Sequence, residues 1–261
     1  MSNTNEQLVG QLLIAGFRGK TAEEGSNIAS LINKYRISGV ILYDEDLEIG
    51  GPKSRNIESP QQVKKLIKQL QILSGHNLFI SIDQEGGEVH RLQSQYGFNE
   101  TPSWNHIGLL NNKLITKEFS DSLSSTLSEA GVNLNFAPVL DLDYGKGTVI
   151  SDSGRAFSLD PQIVIEHSRI LINSHKKKGV ITSGKHFPGL GSASGDTHEG
   201  YTDISDTWTV KDLIPFAELI HSNDLDMIMV SHAFDKKLDS LYPASLSKNI
   251  VTDMLRNDLG F

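Results

Sequence analysis

The sequence predicts an α/β protein of the TIM-type (β/α)8 barrel class, with about six of its strand–helix units present. Three observations lead to this prediction. Short apolar runs alternate with amphipathic stretches along the chain, glycines stand at many of the junctions, and a length of 261 residues suits one large barrel better than one ordinary domain. Because helical patterns separate the strands, the crossovers are expected to be right-handed and the sheet parallel.

Two helix–strand units are visible from their end signals. Ser59, followed by proline, is a favourable N-cap for a helix whose apolar residues lie on one face, and Gly75 ends that helix. Asp160, also followed by proline, opens a second helix that ends in three lysines and Gly179. A short apolar run follows each glycine, so each unit predicts a helix that leads into a buried strand.

Six strands are predicted by this pattern. They occupy residues 11–17, 38–43, 77–83, 132–141, 180–186 and 226–231. Six units in 261 residues average about 43 residues each, so eight units would need about 340 residues, within the range of barrels with insertions. A last helix, capped by Ser247, is followed by residues 257–261, where the spacing predicts a seventh strand. We therefore expect residues 1–261 to form a single barrel domain whose last strands are missing from the chain; a short, six-stranded open sheet is the alternative.

The composition excludes several classes of protein. The net charge is −8, from 32 acidic and 24 basic residues, which disfavours non-specific nucleic-acid binding because that binding needs Lys and Arg to neutralise phosphates. The absence of cysteine excludes disulfides, thiolate nucleophiles and cysteine-ligated metal centres. No apolar run approaches the length of a membrane span, and the polar start of the chain has no signal-peptide pattern. These observations favour a cytoplasmic location, with export after removal of a signal as the alternative.

Charged side chains stand where the predicted strands end. Strands three, four and five run directly into Asp83, Asp141 and the pair Lys185-His186, respectively. Reactive groups of parallel α/β proteins collect at the carboxyl ends of the strands, so we expect a functional site there. His232 follows the sixth strand, and the sequence is equally compatible with a functional role and with a core position for it.

The segment 185–198, KHFPGLGSASGDTH, is rich in glycine and therefore predicts a loop rather than a helix. Two chemistries use its polar residues. His186, Asp196 and His198 could together ligate a metal such as zinc or iron. Alternatively, Asp196 orients His198, which acts as a general acid and base near neutral pH. A polar surface loop without a chemical role is the third interpretation.

Three other residues receive structural interpretations. Glu85 belongs to a Gln-Glu-Gly-Gly segment and is expected to be a turn residue that bonds to the backbone. Trp104 and Trp208 could each stack on a sugar ring, but packing is the expected role of both.

Three stretches of the chain resemble glycoside hydrolase family 3, and within it the bacterial β-N-acetylglucosaminidases of cell-wall recycling. Residues 82–92, IDQEGGEVHRL, resemble the family's DQEGG-x-V-x-R segment. Residues 135–142, NFAPVLDL, with the Gly-Arg-Ala-Phe of 154–157, resemble its fourth-strand signature. Residues 185–198 match the subgroup pattern KH-(F/I)-PG-(H/L)-G-x4-D-(S/T)-H throughout, and the resemblance covers nearly the whole chain.

The resemblance implies a role for each matched residue. His198 would be the general acid/base, paired with Asp196, and the sugar ring would be bound by five further residues, namely Asp83, Arg91, Arg155, Lys185 and His186. It also implies a retaining double displacement, in which a carboxylate nucleophile forms a glycosyl-enzyme. No residue of the chain matches the family's nucleophilic aspartate, which is therefore expected beyond residue 261.

The substrate implied by the resemblance is a cell-wall or chitin-type saccharide that ends in β-linked N-acetylglucosamine. The implied enzyme is a β-N-acetylhexosaminidase that uses neither a metal nor a cofactor. A sugar-binding barrel that no longer catalyses is the main alternative, and a metal hydrolase that uses His186, Asp196 and His198 is the third hypothesis. No nucleic-acid partner and no membrane span are expected.

Overall fold

The computed structural model describes residues 4–261 and contains one parallel sheet of six strands in that range. The strands are β1 (Ile14–Gly16), β2 (Gly39–Leu42), β3 (Phe79–Ile82), β4 (Leu134–Asn135), β5 (Ile181–Phe187) and β6 (Met227–Val230). They lie in the sheet in the order in which they occur in the chain, and every neighbouring pair is parallel. The six predicted strands are confirmed, and their sequential order is that of a barrel-type α/β fold.

Helices separate successive strands. Over the described residues, the α-helices are α1 (Asn5–Gly10), α2 (Asn27–Ser30), α3 (Pro60–Ser74), α4 (Trp104–Leu110), α5 (Lys113–Ala130), α6 (Val149–Asp152), α7 (Pro161–Lys177) and α8 (Ile214–His221). The chain is π-helical over Leu31–Tyr35 and Asn249–Asp258, and short 3-10 turns cover Ser94–Tyr96, Val210–Leu213 and Ala244–Leu246. No helix in this part of the chain is long and apolar enough to cross a bilayer.

Helices α3 and α7 begin and end as the sequence predicts. The Ser59 hydroxyl accepts a hydrogen bond from the Gln62 backbone N–H at 3.3 Å, and Gly75 ends α3 in the left-handed conformation, with φ 60°. The Asp160 carboxylate accepts from the Gln162 N–H at 2.9 Å, and basic residues occupy the last turn of α7. These helix ends fix where the chain turns back toward β3 and β5.

The strand β4 is much shorter than predicted. The prediction spans residues 132–141, whereas regular pairing covers only Leu134–Asn135. Pro138 has no backbone N–H to donate, so a regular ladder cannot continue through it. Pairing with β5 resumes as an isolated bridge between Val139 and Lys185, and the Pro138 carbonyl accepts from the Lys185 N–H at 3.1 Å. The backbone therefore stays against β5 although the regular strand has ended.

The sheet formed by residues 4–261 is open, with β1 and β6 at its two edges. The last helical segment begins near Ser247, whose hydroxyl accepts from the Ile250 N–H at 3.1 Å, and it ends at Asp258. The six parallel strands agree with the predicted fold class. The further strands that the spacing indicates stay a prediction.

Two apolar cores stabilise the fold. The larger joins the sheet to the helices and includes Leu66 of α3, Leu127 of α5 and Leu171 of α7, all fully buried. The smaller is called the loop core here, and its members are Val139, Ile150, Ala156, Leu190, Ala193, Ile204 and Ala233, with Trp208 packed against them. Because these residues come from the segments that follow β4, β5 and β6, the loop core fixes those segments relative to one another.

Candidate active site

The carboxyl ends of three neighbouring strands bring a group of charged and titratable side chains together. This charged cluster consists of Asp83 and Glu85 after β3, Asp141 after β4, Lys185 and His186 at the end of β5, and Arg155 after α6. Parallel strands end at the same edge of the sheet, which is why Asp83 and Lys185 meet although they are 102 positions apart in the chain.

Lys185 is the buried ammonium group of the charged cluster. Its side chain is 2% exposed, and its Nζ lies 2.7 Å from Asp83 Oδ1 and 2.5 Å from Glu85 Oε1. An interior ammonium group is tolerated only when it is paired, and two carboxylates satisfy it here. Asp83 is partly exposed, so it is the carboxylate of this pair that a ligand can reach. The peptide bond between Lys185 and His186 is cis.

Glu85 is completely buried between Lys185 and Arg155. The Arg155 guanidinium donates to both carboxylate oxygens, from Nε to Oε2 at 2.7 Å and from Nη2 to Oε1 at 2.8 Å. Burial alone would raise the pKa of Glu85, but the charge of Lys185 and the hydrogen bonds of Arg155 lower it to about 2. The expected turn role describes only the backbone of Glu85, whose N–H donates to the Val89 carbonyl at 2.9 Å. The Gly-Gly pair that follows indicates a turn, but it carries no information about the side chain.

His186 is held between a carboxylate and a guanidinium. Its Nδ1–H donates to Asp141 Oδ2 at 2.6 Å, and its Nε2 is placed to accept from Arg155 Nη2 at 3.4 Å. The other Asp141 oxygen accepts from the backbone N–H groups of His186, at 3.2 Å, and Leu190, at 2.7 Å. Burial lowers the pKa of His186, although the charge of Asp141 opposes this effect. Asp141 therefore fixes the orientation of the imidazole and places a proton on Nδ1.

A hydrogen-bonded chain beside the charged cluster positions the segment that carries Arg91. The Gln84 side-chain oxygen accepts from the backbone N–H groups of Arg91 and Leu92, both at 2.8 Å. Asn135 of β4 bonds to the Gln84 backbone in both directions, at 3.0 Å each, and donates to His175 Nε2 at 3.1 Å. Burial lowers the pKa of His175 to about 4, so this histidine accepts as a neutral ring. The sequence signal for this series of hydrogen bonds is Asn135, because it is a polar residue within a predicted buried strand.

Arg91 lies at the edge of the site, next to residues that follow β2. Its Nη1 is 3.9 Å from Asp44 Oδ1, and its guanidinium is 5.6 Å from the centre of the Tyr43 ring. Arg55 lies over the same ring at 4.9 Å. Burial raises the pKa of Tyr43, and the charge of Asp83 raises it further, whereas the charges of Arg91 and Arg55 oppose the increase. Tyr43 and Asp44 were not predicted, although they occupy the same strand-end position that identified Asp83.

Asp196 and His198 form a pair on the loop that follows β5. The Nδ1 and the backbone N–H of His198 both lie 2.8 Å from Asp196 Oδ1. The His198 side chain is 85% exposed, whereas that of Asp196 is half-buried. Hydrogen bonds from the backbone and the ring of His198 lower the pKa of Asp196, and the charge of Arg155 adds to the effect. The pair is therefore within electrostatic reach of the charged cluster.

The seven expected site residues fall into two groups and one edge position. The charged cluster contains four of them, which are Asp83, Arg155, Lys185 and His186. Arg91 lies at the edge, and Asp196 and His198 stand apart on the exposed loop. The set proposed for a metal is not assembled: in residues 4–261, no three His, Asp or Glu side chains are close enough to hold a metal ion.

The remaining candidates have structural contacts. His232 is exposed at the end of β6, where its Nδ1 bonds to the Ser245 hydroxyl at 2.7 Å, so a core position is wrong for it. Trp104 is fully buried against the Phe157 ring, with 5.2 Å between the ring centres. Trp208 packs on the loop core and donates from Nε1 to the Pro188 carbonyl at 3.0 Å. The packing roles predicted for both tryptophans are confirmed.

Gly191 has no room for a side chain, because an added Cβ would lie 2.2 Å from the Leu142 carbonyl oxygen. We expect Gly191→Ala to lower the free energy of unfolding by about 1–3 kcal/mol, since the backbone at Gly191 or Leu142 must shift to admit the methyl group. Urea unfolding monitored by tryptophan fluorescence measures the change. Ser194→Ala, at an exposed position of the same loop, is the control; a Gly191 variant as stable as this control would contradict the prediction.

The fold and the site together define a class of protein. A parallel α/β sheet in sequential strand order that carries charged side chains at the carboxyl ends of its strands is typical of the barrel-type α/β enzymes. The chain belongs to glycosyl hydrolase family 3, because the protein-family model described as "Glycosyl hydrolase family 3 N terminal domain" matches residues 4–261.

Two curated relatives are named beta-hexosaminidase. The protein from Nitrosomonas eutropha is 35% identical over 238 residues, which cover 86% of this chain and 63% of that protein. The protein from Thiobacillus denitrificans is 34% identical over 237 residues, which cover 86% of this chain and 61% of that protein. The chain thus spans about three fifths of the length of these relatives.

Solved structures of the same family have the same fold. A family 3 β-N-acetylglucosaminidase from Paenibacillus superimposes with a TM-score of 0.88 at 30% identity, over 100% of this chain and 48% of that chain. NagZ from Neisseria gonorrhoeae, in complex with N-trifluoroacetyl-D-glucosamine, superimposes with a TM-score of 0.82 at 27% identity, over 95% of this chain and 71% of that chain.

Proposed function

We propose that the protein is a retaining β-N-acetylhexosaminidase that releases terminal β-linked N-acetylglucosamine from cell-wall or chitin-type saccharides. The observation that carries this proposal is the combination of a buried charged cluster with a loop that bears the paired Asp196 and His198. The names of the related proteins, and the N-trifluoroacetyl-D-glucosamine bound by the Neisseria protein, support the same substrate class.

The charged cluster has the donors and acceptors that a sugar ring requires. Asp83 can accept from sugar hydroxyls, while Lys185 and Arg155 can donate to them. Lys185 is already paired with Asp83 and Glu85, and Arg155 with Glu85, so a neutral sugar can bind without taking either cation away from its carboxylate partner. We propose that Arg91, at the edge, binds the same sugar.

His198 is proposed to give a proton in the first step and to take one in the second. As an imidazolium it protonates the glycosidic oxygen while a carboxylate attacks the anomeric carbon, which breaks the bond to the leaving group and forms a glycosyl-enzyme. As a neutral ring it then accepts a proton from the water that attacks the same carbon and releases the sugar. Asp196 holds Nδ1, so Nε2 is the atom that exchanges the proton. The nucleophilic carboxylate is proposed to lie beyond residue 261.

The product of the complete gene should hydrolyse p-nitrophenyl N-acetyl-β-D-glucosaminide much faster than the matching β-D-glucoside. Proton NMR of the first product should show the β-anomer, because a double displacement retains configuration. An α-anomeric first product would contradict the retaining mechanism. Binding of N-acetylglucosamine in a calorimeter without any hydrolysis would favour the sugar-binding alternative instead.

A further inference from the structure

The tip of the loop that carries Asp196 and His198 is exposed between two buried supports. Residues 194–201 contain only half-buried or exposed positions, whereas Ala193 before them and Thr202 after them are buried. Glycines stand on both sides of the Asp-Thr-His sequence within the tip, at positions 195 and 200. A short exposed segment with two glycines has many accessible conformations, so its supports determine where His198 can stand.

The first support is the loop core. Ala193 belongs to this core, and its carbonyl accepts from the Val149 N–H at 3.0 Å. The neighbouring Ser192 hydroxyl donates to Thr207 Oγ1 at 3.0 Å. These contacts attach the first end of the tip to the segments that follow β4 and β5.

The second support attaches the tip to the segment that follows β6. Asp203 and Phe234 form an isolated parallel bridge, in which the Phe234 N–H donates to the Thr202 carbonyl at 2.8 Å and the Ile204 N–H donates to the Phe234 carbonyl at 2.8 Å. The Tyr201 ring packs on the Phe234 ring with 4.5 Å between the centres.

The Asp203 carboxylate joins the side chains of this second support. Its Oδ2 accepts from Lys236 Nζ at 2.7 Å and from the Tyr201 hydroxyl at 3.1 Å. Its Oδ1 accepts from the Ser205 backbone N–H at 3.0 Å and from the Ser205 hydroxyl at 2.5 Å. Hydrogen bonds from Lys236 and Ser205 hold the pKa of Asp203 well below its usual range, so the carboxylate is charged at neutral pH. Tyr201, Asp203 and Lys236 are called the loop anchor.

We propose that the loop anchor positions His198 for proton transfer, and that Asp203 is therefore a positioning residue of the reaction. This inference rests on the proposed function. Tyr201 is three residues from His198 along the chain, so the anchor acts on the same short segment that carries the acid/base. A general acid must come within about 3 Å of the oxygen that it protonates, and a displacement of about 1 Å can cost up to about a hundredfold in rate.

The lysine of the anchor ion pair is too exposed for this pair to add much to global stability. The Lys236 side chain is 62% exposed, and exposed ion pairs contribute only about 0–1 kcal/mol to folding. A second ion pair provides a matched control: Asp206 and Lys237 come from the same two segments, lie 3.5 Å apart and are mostly exposed, but they bond to no residue of the tip.

The test compares Asp203→Ala with Asp206→Ala in the product of the complete gene. With an alkyl N-acetyl-β-D-glucosaminide, whose leaving group must be protonated, we expect Asp203→Ala to lower kcat/KM by roughly tenfold relative to the control. With the 2,4-dinitrophenyl glycoside, whose leaving group departs without a proton, we expect kcat/KM to stay within about twofold, because this ratio reports on the first step only. The melting temperatures of the two variants should agree.

A second pair of variants covers the case in which Asp203→Ala fails to fold. Lys236→Met, compared with Lys237→Met, should show the same dependence on the leaving group, and Lys236→Arg should restore activity toward the alkyl glycoside. Equal losses with both substrates, or equal losses in anchor and control variants, would overturn the inference.

Hydrogen exchange separates a failure of the anchor from a failure of the proposed function. The amides of residues 196–200 should exchange faster in Asp203→Ala than in Asp206→Ala, whether or not the protein is active. Inactivity of the unmodified protein toward both glycosides would refute the function, and faster exchange would still support the anchor. Unchanged exchange would refute the anchor itself.

Discussion

His198→Ala should lower kcat/KM toward saccharides by at least about a hundredfold, which is the usual loss for a general acid or base. The reason is that a sugar leaving group departs as a strongly basic alkoxide unless it is protonated, and His198 is the proposed proton donor. The loss should be far smaller with the 2,4-dinitrophenyl glycoside, whose leaving group needs no proton. Rates are measured with both substrates over a range of pH.

His221→Ala is the matched control for this prediction, because His221 is an exposed histidine in the last turn of α8 and contacts neither the charged cluster nor the loop tip. It should behave as the unmodified protein. A second variant, Asp196→Asn, should retain part of the activity, since the amide can still accept from Nδ1 but no longer stabilises the imidazolium by charge. If His198→Ala turned over an alkyl glycoside at a normal rate, another group would have to be the acid.

The parts of the fold that were predictable from the sequence are those set by local chemistry. Ser59 and Gly75 end α3 because a hydroxyl can cap a helix start and glycine can adopt a positive φ, and both properties belong to the residue itself. The shortening of β4 was missed because apolar residues surround Pro138, and apolar character alone does not reveal which N–H groups pair.

The candidate site was predictable only in part for a related reason. Asp83 and Lys185 could be identified because each ends a predicted strand and because each lies in a motif. Glu85 could not be assigned an ionic role, since its partner Arg155 is 70 positions away and arrives from a loop. The contact between Asp203 and Lys236 likewise depends on how two loops meet, which no local pattern records.

Glu85→Gln should be the most destabilising substitution in the site. The Glu85 side chain is completely buried, and its carboxylate is shared by Lys185 and Arg155. Removal of its charge leaves Lys185 and Arg155 in the interior with Asp83 as the remaining paired carboxylate. Loss of one partner from a buried ion pair lowers the free energy of unfolding by about 3–5 kcal/mol. Urea unfolding at pH 7 measures the loss, and calorimetry with N-acetylglucosamine should show weaker binding in the same variant.

The pH dependence of stability provides an independent measure of the same interaction. The pKa of Glu85 is about 2 in the folded protein and 4.5 in its ordinary state, so the folded state favours the charged form. Its contribution, about 3 kcal/mol, is present above pH 4.5 and is lost as the pH falls toward 2. The unmodified protein should therefore lose stability over this range more steeply than Glu85→Gln does.

Glu88→Gln is the control, because Glu88 is an exposed residue of the same segment, three positions from Glu85. Its unfolding free energy should stay within about 0.5 kcal/mol of the unmodified protein, and its pH dependence should be unchanged. Equal stability of the Glu85 and Glu88 variants at pH 7 would mean that Lys185 and Arg155 do not need the carboxylate. In that case the charged cluster would be held by Asp83 and by packing, and Glu85 would be dispensable for keeping the sugar-binding groups in place.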